Sequence, residues 1–504
     1  MSTFHGLEMA KQALFAQQSA LYTTGHNISN ANTKGYTRQR VNFETMNPYP
    51  AAARNRPELP GQMGTGVQTG SIQRVRDSYL DVQFRAENSK SGYWSTMSDA
   101  LTRLEGVMNE PSDSGLSKTM GQFWQSIQDL SSNPENSGAR SVVAQRGKAV
   151  ADTFNYLSES LTSIQSDLKN QMDITVTDAN SLLNQIHNIN QQVNELEPHG
   201  YLPNDLYDER DRLIDELSSI VNIKVDYDKS SPSSQDIAQG IASIEIVDDK
   251  GNSFEPAVKL LDGSKADAAD AIQKLSIDYN EGEVMIGNNS VDISKSNGSL
   301  KGLADAYGLS EDGSGLYRDM LADLDKMATN FAEQFNKVHQ QGVGLDGSNG
   351  LDFFTFKPGT SGAGGLTVNK DILDHPDKIA ASSNGNAGNG DNASNLANVF
   401  DDTKIVDDNG NNPFGENTSI NSFYQSLIGE MGVQAQEAKR MENNTGVLRL
   451  QVENQRMSVS SVSLDEEMSN MIKFQHAYNA AARSMTAMDE MLDKIINSMG
   501  LVGR

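Results

Sequence analysis

Apolar residues recur along this chain with more than one period, and each change of period marks an element. Near the start, Leu7, Leu14, Leu21 and Ile28 stand seven apart, with small Ala10, Ala13 and Ala20 beside them. That stripe predicts an amphipathic helix over residues 4–24. Near the end, Leu464, Met468, Met471, Tyr478, Ala482, Met485, Leu492, Ile496 and Met499 follow an alternating four-three spacing, broken only by Gln475 and Asp489. A one-sided helix of that length needs something to cover its apolar side. The two seams are therefore expected to pair with each other, with neighbouring copies, or with both.

Between the ends the pattern changes several times. His26 to Tyr36 is rich in Asn, Thr and Gly and predicts a structured turn closing the first helix. Val41 and Phe43 alternate with Arg40 and Asn42, as in a short strand. Pro48, Pro50, Pro57 and Pro60 with Gly61, Gly64 and Gly66 predict an extended loop over 48–66. From Asp77 to about Tyr227 the spacing is helical, in runs 78–108, 116–130, 137–196 and 205–220, punctuated by Pro111, Pro134, Pro198 and Gly200. Leu182, Ile186, Ile189, Val193 and Leu196 make the cleanest stripe there. Asp211 and Asp215 beside Arg210 and Arg212 read as solvated helix surface. After Ser230-Ser231-Pro232-Ser233-Ser234 the period becomes two. Leu275, Ile277 and Tyr279, then Val284 and Ile286, then Val291 and Ile293, predict small antiparallel strands. Helix returns over 303–338, Gly- and Asn-rich loops with strands near 353–356 and 366–368 fill 342–420, and helix resumes over 423–460.

The order helix, β, helix predicts a mainly α protein with a β insertion. Its terminal helices would pair as a coiled coil, beside a helical bundle domain and a small antiparallel β-rich outer domain. The segments fall into a terminal helical assembly domain (1–45 and 460–504), a helical middle domain (46–229, 300–341 and 421–459), and a β-rich, loop-rich outer region (230–299 and 342–420). Both termini would lie at one end of the molecule.

Composition narrows the chemistry. With 504 residues, 37% hydrophobic and 6% aromatic, the chain has enough apolar material for several thin cores rather than one thick one. A net charge of −26 argues against nucleic acid and against an electrostatic membrane anchor. Residues 1–40 run the other way, with Lys11, Lys34, Arg38 and Arg40 against Glu8. There is no cysteine, which removes disulfides, zinc-thiolate sites and thiol nucleophiles. No stretch reaches the ~18 apolar residues of a membrane span. Glu8, Lys11, Gln12, Gln17 and Gln18 interrupt what a secretory signal would need as an apolar core. The expectation is a cytoplasmic protein, or one that leaves the cell by a route without signal cleavage.

No catalytic, cofactor or metal site stands out. His5, His26, His187, His199, His339, His375 and His476 have no metal-ligand spacing and read as packing or surface residues. The loops Asp346-Gly347-Ser348-Asn349 and Asp407 to Asn412 lack the Gly and Glu that complete an EF-hand, and read as solvated turns. Met468, Met471, Met485, Met488, Met491 and Met499 fit either adaptable core filler or a surface that must match several neighbours.

Two motifs carry a family resemblance. Asn27-Ile28-Ser29-Asn30-Ala31-Asn32-Thr33-Lys34-Gly35-Tyr36 resembles the N-terminal signature of bacterial flagellar rod, hook and hook-associated axial proteins. Gln475-His476-Ala477-Tyr478-Asn479-Ala480-Ala481-Ala482-Arg483 and Met488-Asp489-Glu490-Met491-Leu492 resemble its C-terminal counterpart. The long helical region, Tyr207-Asp208-Glu209-Arg210-Asp211-Arg212-Leu213 and the Gly500-Leu501-Val502-Gly503 ending are similar to the hook-associated protein 1 family. The resemblance implies a non-enzymatic subunit without cofactor. It would be exported unfolded through the flagellar type III apparatus, form a ring on the distal hook, and bind hook protein, a second junction protein and further copies of itself. A small cytoplasmic chaperone would hold its C-terminal region before export. The rivals are a hook or rod protein of the same axial class and a filament-associated cell-wall hydrolase.

Overall fold

A computed structural model describes all residues except 1–3, 51–53, 55–60, 109–111, 113–114, 310–312, 405–411 and 499–504. Pro57, Pro60, Pro111, the acidic loop from Asp407 to Asn411, Met499 and the Gly500–Gly503 ending thus lie outside the described residues.

Helix α1 (Phe4–Ser29) leads into a hairpin of β1 (Gln39–Thr45) and β2 (Val67–Arg74). Four helices follow: α2 (Ser78–Met108), α3 (Leu116–Ser132), α4 (Ser137–Leu196) and α5 (Asn204–Ile220). Strands β3 (Ile223–Asp228), β4 (Ile241–Ile246) and β5 (Lys259–Leu261) form one antiparallel sheet. After the short α6 (Ala268–Ala271), β6 (Leu275–Asp278), β7 (Glu283–Ile286) and β8 (Asn289–Val291) form another. Helices α7 (Ser299–Tyr307) and α8 (Leu316–His339) precede the pair β9 (Phe354–Phe356) and β10 (Leu366–Val368). Short α9 (Lys370–Asp374) and α10 (Asp391–Asn398) lead to two long helices, α11 (Ile420–Ser460) and α12 (Leu464–Ser498).

Several boundaries differ from the periodicity. Helix α1 does not stop before His26. Ser29 Oγ bonds back to Gly25 O at 2.9 Å and Asn30 Nδ2 to His26 O at 3.1 Å, so these side chains extend the last turn instead of capping it early. The helical reading to Tyr227 fails after Ile220: Val221 is extended, and Ile223 to Asp228 pair with β4. Gly308, with φ +97°, separates α7 from α8 where one helix was expected. Ile293 opens a 3-10 turn rather than a strand, because Asp292 caps it through Ser294 N.

Helix α4, sixty residues long, spans ~90 Å at 1.5 Å per residue. It is the spine. Buried and half-buried amides along it bind the edges of successive β segments. Asn155 Nδ2 donates to Leu366 O at 2.8 Å and to Ala363 O at 3.2 Å. Asn180 takes Leu275 N on its oxygen at 2.9 Å and gives its NH2 to Leu275 O at 2.8 Å. Asn190 does the same for Ala242, at 3.1 and 2.8 Å. An amide side chain offers the same donor and acceptor as a peptide group, so it can satisfy a strand edge that would otherwise be buried unpaired. Ile244, Leu260, Val284, Ile286, Phe353 and Leu366 consequently share one continuous core with Ile186 and Val193 of α4.

Candidate functional site: the terminal helix pair and its joint

Helices α1 and α12 pack antiparallel. Asn27 lies beside Glu467 at one end, with Nδ2 to Oε2 at 3.1 Å. At the other, a Cβ on Gly6 would stand 2.8 Å from Met488 Cε. Ala10, Ala16, Ala20, Thr23, Thr24 and Asn27 are the buried positions of α1, small enough for close approach. Leu7, Leu14, Leu21 and Ile28 are half-buried on its flank.

The α12 seam is only partly brought inward. Met471, Tyr478 and Met485 are half-buried, and Leu492 is 8% exposed. Their inward companions are Glu467, Phe474, Ala481 and Met488, not Leu464, Met468 and Ile496. This shift by one position explains why Gln475 and Asp489 interrupted the expected seam: both point to solvent. Leu464, Met468 and Ile496 lie outside, Ile496 at 70% exposure, together with Ile472, Phe15 and Tyr22.

The Asn-rich motif forms a tight strap. Tyr36 OH donates to Asn27 Oδ1 at 2.8 Å and stands 2.9 Å from His26 Nδ1, so the His26 Nδ1–H must be the donor there. Burial, then the carboxylates Asp205, Asp208 and Glu467, pushes the Tyr36 hydroxyl well above its ordinary pKa, so it stays a donor. Asn27 Oδ1 also takes Gln39 N at 3.0 Å. Thr33 closes a turn on Asn30 O at 2.9 Å, Gly35 takes φ +85°, and Ser29, Asn30 and Ala31 make the way in. Arg38 then binds Glu467 at 2.7 Å and Glu466 at 2.9 Å, while its backbone N–H donates to Ser460 O at 2.9 Å. The motif is thus a fold device that staples α1 to the start of α12.

Beneath the strap lies a charge cluster that corrects the solvated reading of α5. Asp211 and Arg210 are buried; Arg212 alone of that group stays on the outside, with Glu209 and Glu216. Arg74 binds Asp208 at 2.7 Å and Asp211 at 2.9 Å. Arg76 binds Asp81 at 2.6 Å and Asp211 at 3.2 Å. Arg85 reaches Asp211 at 3.2 Å and Asp215 at 2.8 Å, and Arg456 reaches Asp215 at 2.5 Å. Four guanidinium groups thus meet Asp81, Asp208, Asp211 and Asp215, so the buried charge nearly cancels. Burial would raise Asp211, but Arg76, Arg74, Arg85 and Arg210 hold it well below the carboxylate range. Asp208 goes the other way, because its burial outweighs Arg74 and the bonds from Thr37. Arg210 sits between the rings of Tyr207 and Tyr227, at 5.4 and 5.1 Å, and donates to Asn190 Oδ1 and Gly240 O. Sequence reasoning missed this cluster. Its trace was the 3-4 spacing of Asp208, Asp211 and Asp215 on one helix face, whose partners lie far away in sequence.

Beside the same cluster, a cleft of about 600 Å³ opens between the strap, α5, α2 and α11, lined by Thr37, Arg76, Asp215 and Arg456 of the joint together with Phe84, Leu450 and Met457. Among the described residues no three His, Asp or Glu side chains gather as a metal-holding group, and no helix is long and apolar enough to cross a membrane.

Residues 101–354 match the family description "Flagellar hook-associated protein FlgK helical domain". Residues 7–37 match "Flagella basal body rod protein", and 453–499 match "Flagellar basal body rod FlgEFG protein C-terminal". The chain is 47% identical to flagellar hook-associated protein 1 of Bacillus subtilis over 519 residues, covering 100% of both chains. It is 26% identical to flagellar hook-associated protein 1 of Escherichia coli, over 97% of this chain and 98% of that one. The solved flagellar hook junction protein FlgK of Burkholderia pseudomallei has the same fold, with a TM-score of 0.58 at 14% identity over 75% of this chain and 100% of its own. The long helices, the strap and its staple on α12, and full-length similarity at this level lead to one assignment: the chain belongs to the flagellar hook-associated protein 1 family.

Proposed function

We infer that this chain polymerises as a ring at the distal end of the bacterial flagellar hook and joins hook to filament. The carrying observation is the outer side of the α1–α12 pair. Within one chain, nothing among the described residues covers Phe15, Tyr22, Leu464, Met468, Ile472 and Ile496. An apolar face left open on a folded subunit is a surface for neighbours. The inward half of α12 holds the pair together; the outward half supplies lattice contacts to further copies, to hook protein, and to a second junction protein. The role is structural, not catalytic. The terminal matches are to rod-protein families, but the helical domain over 101–354 favours the hook-associated member.

The chain would travel to this place unfolded, through the flagellar export apparatus and without signal cleavage. In that state α12 has no α1 to cover it. Met471, Met485 and Leu492 are then free for a cytoplasmic chaperone in a helix-in-groove mode. Deleting 460–504 should abolish chaperone capture, and undiminished capture would refute the assignment. The junction role itself is tested in a strain lacking the chain. Complete hooks without filaments, with flagellin shed into the medium, are expected; loss of the hook would point to a hook or rod protein instead.

A further inference from the structure

Helix α11 carries two regular rows of side chains, and only one of them is covered. Tyr424, Met431, Ala438, Thr445 and Val452, seven residues apart, are buried where α11 packs along α2. On the opposite face, Asn443, Val447, Leu450, Asn454 and Met457 follow the alternating four-three spacing of a second seam. Val447 is 63% exposed, Leu450 55% and Met457 43%, so nothing among the described residues covers this row. The same spacing runs on in sequence through Ser461 to Leu464 and Met468, on the outer face of α12.

Two features set the row apart from ordinary helix surface. From Asn443 to Ser463 no exposed residue is charged. The charged side chains of that stretch, Arg449, Glu453 and Arg456, line the cleft instead. In a chain of which 21% is charged, such depletion marks the core of a contact with another protein. The second feature is Gly446, on the edge of the same row and well inside a helix of 41 residues. Glycine weakens a helix interior, and here a Cβ would meet nothing within 4 Å. Packing within the chain therefore does not call for it; the close approach of another backbone would.

We propose that the outward face of α11 from Asn443 to Met457 is a contact between copies of this chain, in which a helix of a neighbouring subunit lies along Val447, Leu450 and Met457 and closes over Gly446. The proposal rests on the assembly reading above, and gives it a contact on the body besides the terminal pair. A copy, rather than a foreign partner, is the occupant that charge favours. Each chain carries −26, so two bodies meet at least cost where neither presents a charge. Asn443 and Asn454, the polar members of the seam, would fix the register of the contact.

Photo-crosslinking in assembled particles tests it. p-Benzoylphenylalanine replaces Gln451, an exposed residue on the rim of the seam that borders the contact without filling it. Hook–filament particles from a strain whose only copy carries the probe are irradiated. The product should have the mass of two chains, with both joined peptides from this sequence. An adduct with a different protein, or none on hooks that carry filaments, would overturn the proposal and leave the junction reading standing. Gly446→Leu supplies the second arm. The purified full-length variant should melt no lower than the parent, because the new side chain enters open space and leucine favours helix. In the particles it blocks the close approach, so the yield of the chain-to-chain adduct should fall at least about tenfold. An undiminished yield would also overturn the proposal.

Discussion

Asp211 lies at the centre of the joint. Three arginines contact it, and it is 1% exposed. Asp211→Asn keeps the shape and removes the charge, leaving Arg74, Arg76 and Arg85 in excess in a buried site. Such a broken network costs about 3–5 kcal/mol. Arg212→Ala, one residue on but outside, should cost less than about 1 kcal/mol. Urea unfolding of the two variants measures the contrast, and equal losses would mean the cluster is not the stabilising unit. His339 makes a second residue-scale prediction. Ala380 N donates to its Nε2 at 3.0 Å, so Nδ1 carries the proton toward Leu351 O and the ring is neutral. Burial lowers its pKa from the ordinary 6.5 to about 4. The unfolded chain therefore takes up the proton first as pH falls. Stability is full above pH 6.5 and drops toward pH 4, by up to about 3 kcal/mol. In His339→Gln that part of the slope should vanish from a series of unfolding curves across this window.

At the scale of elements, most helices were legible because their apolar spacing extends over many turns. The limits of α2, the start of α3 and both ends of α4 fall where the pattern placed them. Strands β4 and β5 were not legible: they are only six and three residues long, and their ladder partners are β3 and each other. The α12 seam was half legible. Met471, Tyr478, Met485 and Leu492 kept their heptad, but the companion row begins at Glu467, a charged residue that no hydrophobic pattern marks as core. It is buried only because Asn27 and Arg38 satisfy it. This register separates two kinds of α12 variant. Leu492→Asp places a charge on the inward face, so α12 should detach from α1 in the monomer. Hydrogen exchange over 464–498 should then accelerate by at least about tenfold, for a loss above 1.4 kcal/mol, with the body unchanged. Protection equal to the parent would mean the inward row does not hold the pair.

The whole molecule is a spine with attachments and an exposed pair at one end. The segments 230–299 and 342–420 dock along α4 within its core, while the terminal pair is joined to the body mainly through side-chain polar bonds. From the sequence one could foresee that the ends pair and that the middle stands apart from them. What lay out of reach was the charged joint between, since most of its complementary charges lie 126 or more residues apart and leave no local period. The central claim is that the outward face of the helix pair is the assembly surface. Its most direct test is electron microscopy of hooks from a strain whose only copy carries Met468→Asp and Ile472→Asp. Both residues are already in water in the monomer, so the purified variant should fold and melt as the parent does. Bare hooks and flagellin in the medium are expected. Normal filaments on those hooks would contradict that claim.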